Sequence, residues 1–278
     1  MATVAFGLLA AVTWGSGDFA GGLLARRSPV LGVVMVSQVV GTVLALAIAV
    51  VRGETMPLAS DVPWSIAGGL TGGIGIVALY RGLAVGRMGV VAPVTGVLAA
   101  TIPVLFGVAV EGPPSQLVVV GIGLAIVAVV LVSRVDDGRS GPTGLGLAVI
   151  SGVAIGGFGV AINQVSAGHA FGPLTIIRTS EALLVGAIIL VGRQAWRVDR
   201  RLLPAMAGVG ILDMAGNAGF ILAVQAGSLA IAAVLSSLYP VTTVVLASLV
   251  LRERVTRSHA IGIALAGAAI VCIAGGSA

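Results

Sequence analysis

The chain has no lysine, one cysteine, two histidines and few charges of any kind, with Asp, Glu and Arg together making up only 9% of 278 residues. Each shortage excludes something. One cysteine, Cys272, can build neither a disulfide framework nor a thiolate metal site within a single chain. His169 and His259 stand alone near the ends of apolar runs, so no zinc-protease motif is present. So little charge cannot cover a water-facing surface, which excludes a soluble domain. The period-2 alternation of a membrane barrel is missing too, as are a soluble head, a soluble tail and any low-complexity tract.

What is there is apolar: 58% of residues are hydrophobic and the mean hydropathy is +1.16. A helix needs about 20 apolar residues to cross the hydrocarbon core, and an uninterrupted helix is the way such sequence satisfies its backbone in lipid. Apolar runs between Pro, Gly and charge clusters predict an all-α membrane protein with ten spans. They cover 3–22, 30–51, 63–85, 88–109, 115–133, 143–164, 173–192, 203–225, 228–250 and 258–276. The connections are short, so sequential helices should pack antiparallel. Arg26 and Arg27 follow the first apolar run and do not precede it, so no cleavable signal is expected and 1–278 reads as a single transmembrane domain.

All fifteen basic residues are arginine, and their placement explains the net charge of +5 without invoking nucleic acid. Twelve fall in the loops after spans 1, 3, 5, 7 and 9: Arg26, Arg27, Arg87, Arg134, Arg139, Arg193, Arg197, Arg200, Arg201, Arg252, Arg254 and Arg257. Only Arg52 lies on the other side, and Arg81 and Arg178 are inside spans. Because cytoplasmic loops are the Arg-rich ones, the expected location is the cell membrane, multi-pass, with both termini outside the cytoplasm.

The stretch from Leu83 to Val130 recurs 141 positions later as Val224 to Val271. The closest block, Gly121 to Val130 against Gly262 to Val271, is identical at six of ten positions, and each copy follows an apolar run ending in an acidic residue, Glu111 or Glu253. Such a repeat sets the architecture: 1–138 and 139–278 read as two five-helix units. Five is odd, so the second unit enters the membrane from the opposite side and the halves are expected to be inverted. Inverted repeats commonly build carriers whose substrate sits near the midplane and whose access alternates as the halves rock.

Span 1 opens with Ala11-Val12-Thr13-Trp14-Gly15-Ser16-Gly17-Asp18-Phe19 and span 6 with Gly152-Val153-Ala154-Ile155-Gly156-Gly157-Phe158, a further matched pair. Together with the ten spans, the twin blocks and Tyr239-Pro240 followed by Leu251-Arg252-Glu253, these segments resemble the EamA-like branch of the drug/metabolite transporter superfamily over nearly the whole chain. The resemblance implies a ten-helix inverted-repeat carrier of small organic solutes, often moving them outward. One departure is Gln38, which sits about where many relatives carry an arginine, while span 7 keeps Arg178.

Charge inside a membrane costs on the order of 2.5–3.5 kcal/mol per residue on insertion scales and normally faces a cavity or a partner. Asp18, Arg81, Arg178, Glu181 and Asp213 lie well inside spans, in the company of Gln38, Asn163, Gln164, Asn217 and Gln225. Trp14 and Asp18, four apart, share a helix face, and an aromatic wall beside a carboxylate suits an amine or cation. The structural alternative pairs Asp18 with Arg81. Arg178 and Glu181 are three apart and can shield each other. A guanidinium there can hold a carboxylate or phosphate with two prongs, or the pair can simply fix helix packing. Asp213 lies about ten residues into span 8, four before Asn217. Its depth makes it the preferred proton carrier, with Glu181 second and Asp18, nearer Arg26 and Arg27, excluded; it can also be the partner of Arg178.

Pro93, Pro103 and Pro240 should kink spans 4 and 9, and Tyr239 can cap a substrate group. The glycines of Gly68 to Gly75 lack the Lys and Ser/Thr ending of a phosphate loop and give close helix contact at four-residue spacing. Gly15-Ser16-Gly17-Asp18 matches the Gly-x-Gly-Asp pattern of intramembrane aspartyl proteases, but the only second membrane Asp, Asp213, lacks the Tyr-Asp context.

The expected substrate-binding residues are therefore Trp14, Asp18, Asn163, Gln164, Arg178, Asn217 and Tyr239, with Asp213 and Glu181 for proton coupling. No catalytic residue, metal or cofactor is expected. The expected activity is proton-coupled export of a small organic metabolite such as an amino acid. The alternatives are uncoupled facilitated diffusion, a multidrug or amine exporter, or a packing partner for another membrane complex. The partners are the solute, protons and the lipid bilayer, with no nucleic acid, and the chain is expected as a monomer or weak homodimer.

Overall fold

The computed structural model describes residues 1–54, 57–86, 88–112, 114–132, 144–166, 168–250 and 257–276. The loop residues Arg87, Arg134, Arg139, Arg252, Glu253 and Arg254 lie outside the described residues. Eleven α-helices and one 3-10 turn make up the described secondary structure: α1 Ala2–Ala25, α2 Val30–Val51, α3 Asp61–Val85, α4 Met88–Glu111, α5 Gln116–Val132, α6 Leu145–Asn163, α7 Phe171–Gly192, the 3-10 turn Arg200–Leu202, α8 Leu203–Gln225, α9 Leu229–Ser236, α10 Tyr239–Val250 and α11 Arg257–Gly276. Six of them, α1, α2, α3, α6, α7 and α8, are long and apolar enough by themselves to cross a membrane. Val94–Val110, Gln116–Ala128, Leu229–Thr243 and Ala260–Ala269 are shorter apolar stretches.

Several helices begin where local chemistry starts them. Pro29 caps α2 at an extended φ of −54° and ψ of 126°. Asp199 accepts from the Arg201 N–H at 2.9 Å and so caps the turn that leads into α8. Ser228 accepts from the Ala230 N–H at 3.2 Å at the start of α9. Each supplies an acceptor or a preset φ for a terminus whose first N–H groups have no intrahelical partner.

The sequence expects one kinked helix over 228–250, and here the structure differs: α9 ends at Ser236 and α10 begins at Tyr239. Pro240 has no N–H to return to the Ser236 carbonyl. The hydroxyls of Ser236 and Ser237 donate back to the carbonyls of Ala233 and Val234, at 3.1 and 2.8 Å, which competes with the regular ladder. Across the break, Leu238 and Val241 bond three residues back, to Leu235 and Leu238. α4 carries Pro93 and Pro103 yet is a single helix.

Packing follows an exchange rule. α1 lies against α8, α9 and α10; α3 against α6 and α7; α2 against α7 and α8; α4 against α6 and α9; and α5 against α11. Swapping α1–α5 for α6, α7, α8, α9 with α10, and α11 turns this set of contacts into itself. The twin sequence blocks sit on α5 and α11, so the most alike segments of the two halves pack on each other. Close approach is paid for by glycine at the α3–α7 seam, where a Cβ at Gly69 would come within 2.5 Å of the Ile177 carbonyl.

The α1–α2 loop meets the α7–α8 loop at one end of the molecule, where Gly32 lies against Trp196 and Val198. This end carries Arg26, Arg27, Arg193, Arg197, Arg200 and Arg201. At the other end the α2–α3 loop grips the α6–α7 segment. Glu54 accepts from the N–H groups of Phe171 and Gly172 at 2.9 and 3.0 Å, and Asp61 accepts from the Ser166 N–H and hydroxyl at 3.2 and 2.8 Å. Arg52 lies 3.7 Å from Glu54 and 5.6 Å over the Phe171 ring. A carboxylate on the first N–H groups of α7 satisfies orphan donors and the positive end of the helix dipole together.

Candidate functional site

A cavity of about 80 Å³ lies between α1, α2, α3, α4, α6, α7, α8 and the α9–α10 break. At roughly 10–15 Å³ for each water centre it has room for several waters or one compact solute. Its polar wall holds Asp18, Gln38, Arg178, Glu181, Asp213 and Asn217, and its apolar wall includes Trp14, Phe158 and Phe220.

Arg178 is the hub. It is 1% exposed, and its Nη1 donates to Asp213 Oδ2 at 2.7 Å, Glu181 Oε2 at 2.9 Å and Gln38 Oε1 at 2.6 Å. The Glu181 contact is the i, i+3 pair legible on α7, and the other two bring in α8 and α2. Breaking one partner from a buried pair costs about 3–5 kcal/mol, because the remaining charge is stranded, and with the Gln38 amide the two carboxylates on one guanidinium join α2, α7 and α8. Gln38, fully buried, was not among the residues expected to bind substrate. Its signals in the sequence are a polar side chain deep in α2 and its place where many relatives carry an arginine.

The apolar wall is built on α8. Trp14 lies over Gly216, where any Cβ would collide with the indole ring, and its ring centroid is 5.6 Å from that of Phe220, which sits 6.2 Å from Phe158. Gly216 lets α1 seat an indole directly beside Asp213 and Asn217, one turn apart on the same helix.

Asp18 is 9% exposed and lines the cavity with Trp14. The expected partner Arg81 is exposed, and among the described residues no ion pair joins the two. Depth along the chain gives no azimuth: the Asp18 face of α1 turns inward toward α8, with Gly17 against Leu212 and Asp213. Asp213 lines the same cavity as Asp18 and is paired with Arg178.

Tyr239 opens α10 beside the cavity, with its hydroxyl 3.5 Å from the Ala92 carbonyl. Asn163 is the last residue of α6 and Gln164 its C-cap; neither is among the cavity-lining residues, because the helix ends before it can present them. Gln225 donates to the His169 carbonyl at 3.0 Å, at the same end as the Glu54 contacts. Two carboxylates therefore hold one guanidinium, and a third carboxyl, Asp18, lines the same cavity with two amides and an aromatic wall. Among the described residues, no group of His, Cys, Asp and Glu is placed to hold a metal ion.

A solved structure, described only as the crystal structure of a protein, superposes with a TM-score of 0.75 at 18% identity, over 97% of this chain and 95% of its own. At that identity the likeness shows a shared fold. No curated protein matches. The model of the EamA-like transporter family matches twice, over residues 1–134 and 142–275. A match of this extent, one copy on each half, places the chain in the EamA-like transporter family, as a multi-pass membrane transporter.

Proposed function

We propose that the chain is a proton-coupled secondary carrier that exports a small organic metabolite such as an amino acid by alternating access between two inverted halves. The single observation that supports this best is the buried Arg178, held by Asp213 and Glu181 in a cavity that Asp18 also lines. A zwitterion meets opposite charge at both ends there: its carboxylate toward Arg178 and its ammonium toward Asp18 and the face of Trp14. Three carboxyls and one guanidinium around the cavity leave surplus negative charge in a low-dielectric site, and that surplus is relieved by a proton or a cationic group. Asp213 and Glu181 are the groups for the proton, since each can trade its Arg178 contact for one. The odd number of spans in each half and the exchange of helix contacts support inversion. The arginine-rich end is assigned to the cytoplasm and both termini to the outside of the cell membrane. Outward direction is what the family resemblance implies.

The test is reconstitution into liposomes with a pH jump, screening amino acids and amines for uptake while an entrapped dye follows protons. Solute accumulation with matched proton movement is the expected result. Solute equilibration with no proton movement would replace this reading by facilitated diffusion. Transport of amines alone would favour an amine exporter, the reading that the unpaired Asp18 beside Trp14 supports.

A further inference from the structure

The cluster around Arg178 is unbalanced in one particular way. Nη1 of Arg178 serves three acceptors, whereas Nε and Nη2 of Arg178 and Nε2 of Gln38 are buried with no hydrogen-bond partner among the described residues. Nε lies against Gly41 of α2, where a Cβ would come to 3.4 Å. The amide orientation of Gln38 is fixed by chemistry, since a guanidinium has no acceptor and only Oε1 can face it. The unmet atoms are therefore all N–H donors. They belong to two residues that both line the cavity and are 1% and 0% exposed. Burying donors without acceptors is costly, and a group that only accepts removes that cost where a donor or a cation cannot.

We infer that Arg178 and Gln38 together form an oxyanion subsite of the transport cavity, in which the Gln38 amide N–H₂ donates to the solute carboxylate and makes Gln38 a specificity-determining residue. This rests on the cavity being the solute site. Gln38 thereby has two separable roles: its carbonyl oxygen positions Arg178, and its nitrogen reads the ligand. A carboxylate solute gains from both, an amine without a carboxylate from neither.

The probes are L-valine, isovalerate, which lacks the ammonium, and isobutylamine, which lacks the carboxylate. Binding to the purified full-length chain in nanodiscs is read from the fluorescence of Trp14, with Trp64 and Trp196, both exposed, replaced by Phe. Gln38→Met removes both amide functions at similar length, and Gln38→Glu keeps an oxygen for Arg178 and removes the donor. The expected result is that both variants weaken isovalerate and L-valine by roughly tenfold or more, as for a lost hydrogen bond to a charged group, and that the uncharged Gln38→Met leaves isobutylamine within about twofold. If Gln38→Glu restores carboxylate binding, the amide only positions Arg178 and the inference is overturned; unchanged isovalerate affinity in Gln38→Met overturns it as well. Should Gln38→Met not fold, the Gln38→Glu comparison decides alone. Wild-type binding of isobutylamine with neither carboxylate would sink the oxyanion subsite and leave the carrier reading standing, whereas binding of none of the three would remove both.

Discussion

At the scale of single residues, the cavity assigns unequal work to its carboxyls. Asp213 and Glu181 are tied to Arg178, and Asp18 is not. A group that trades a cation for a proton can report the state of the carrier, and a group that waits for a cation reports the solute. Asp213→Asn mimics the protonated acid and should abolish proton-driven accumulation in liposomes while solute exchange continues. Asp18→Asn should instead weaken isobutylamine and L-valine by about tenfold while sparing isovalerate, because the neutral amide loses the attraction for an ammonium. Full proton-driven accumulation by Asp213→Asn, with its loss in Asp18→Asn, would reverse the two roles. The Arg178–Asp213 contact is legible in the sequence from opposite sign and matched depth on neighbouring spans. The Gln38 contact and the true surroundings of Asp18 are not, since depth along a span says nothing about which way a helix is turned.

At the scale of elements, most helix bounds are legible because hard punctuation sets them: Pro29 and Arg52 bracket α2, and Arg193 follows α7. The break between α9 and α10 is not legible, because α4 carries two prolines and stays a single helix while the outcome at Pro240 involves two serine hydroxyls turning back on their own helix. The grip of the α2–α3 loop on α7 is equally hidden, since it joins residues 117 and 118 positions apart. Glu54 holds the N-terminus of the helix that carries Arg178 and Glu181, so the end of the molecule opposite the arginines is fastened to the site itself. Glu54→Ala removes two hydrogen bonds to a carboxylate, about 1.5–3 kcal/mol each. It should raise the rate at which an outside maleimide modifies Ala233→Cys, a cavity position, by roughly tenfold in a Cys272→Ser background. An unchanged rate would mean that these bonds do not hold that end shut.

At the scale of the whole molecule, the proposed orientation, with the arginine-rich end in the cytoplasm, can be tested from outside the cell. Ala195 lies among exposed residues between α7 and α8, at the arginine-rich end. A cysteine there, again without Cys272, should stay unlabelled by impermeant maleimide in intact cells and react once the membrane is opened. Ready labelling in intact cells would invert the assignment. The repeat is legible in the sequence, but its two halves are not mechanical copies: the second carries a broken helix at the cavity where the first carries a whole one. Under the proposed cycle, opening to one side bends the half with a ready-made pivot between Ser236 and Tyr239, and opening to the other side bends an intact α4. The two open states should therefore differ in free energy even with identical solutions on both faces. Such a difference cannot rectify flux, because detailed balance leaves net direction to the gradients alone. It decides which conformation the empty protein waits in, and so from which compartment solute is captured first.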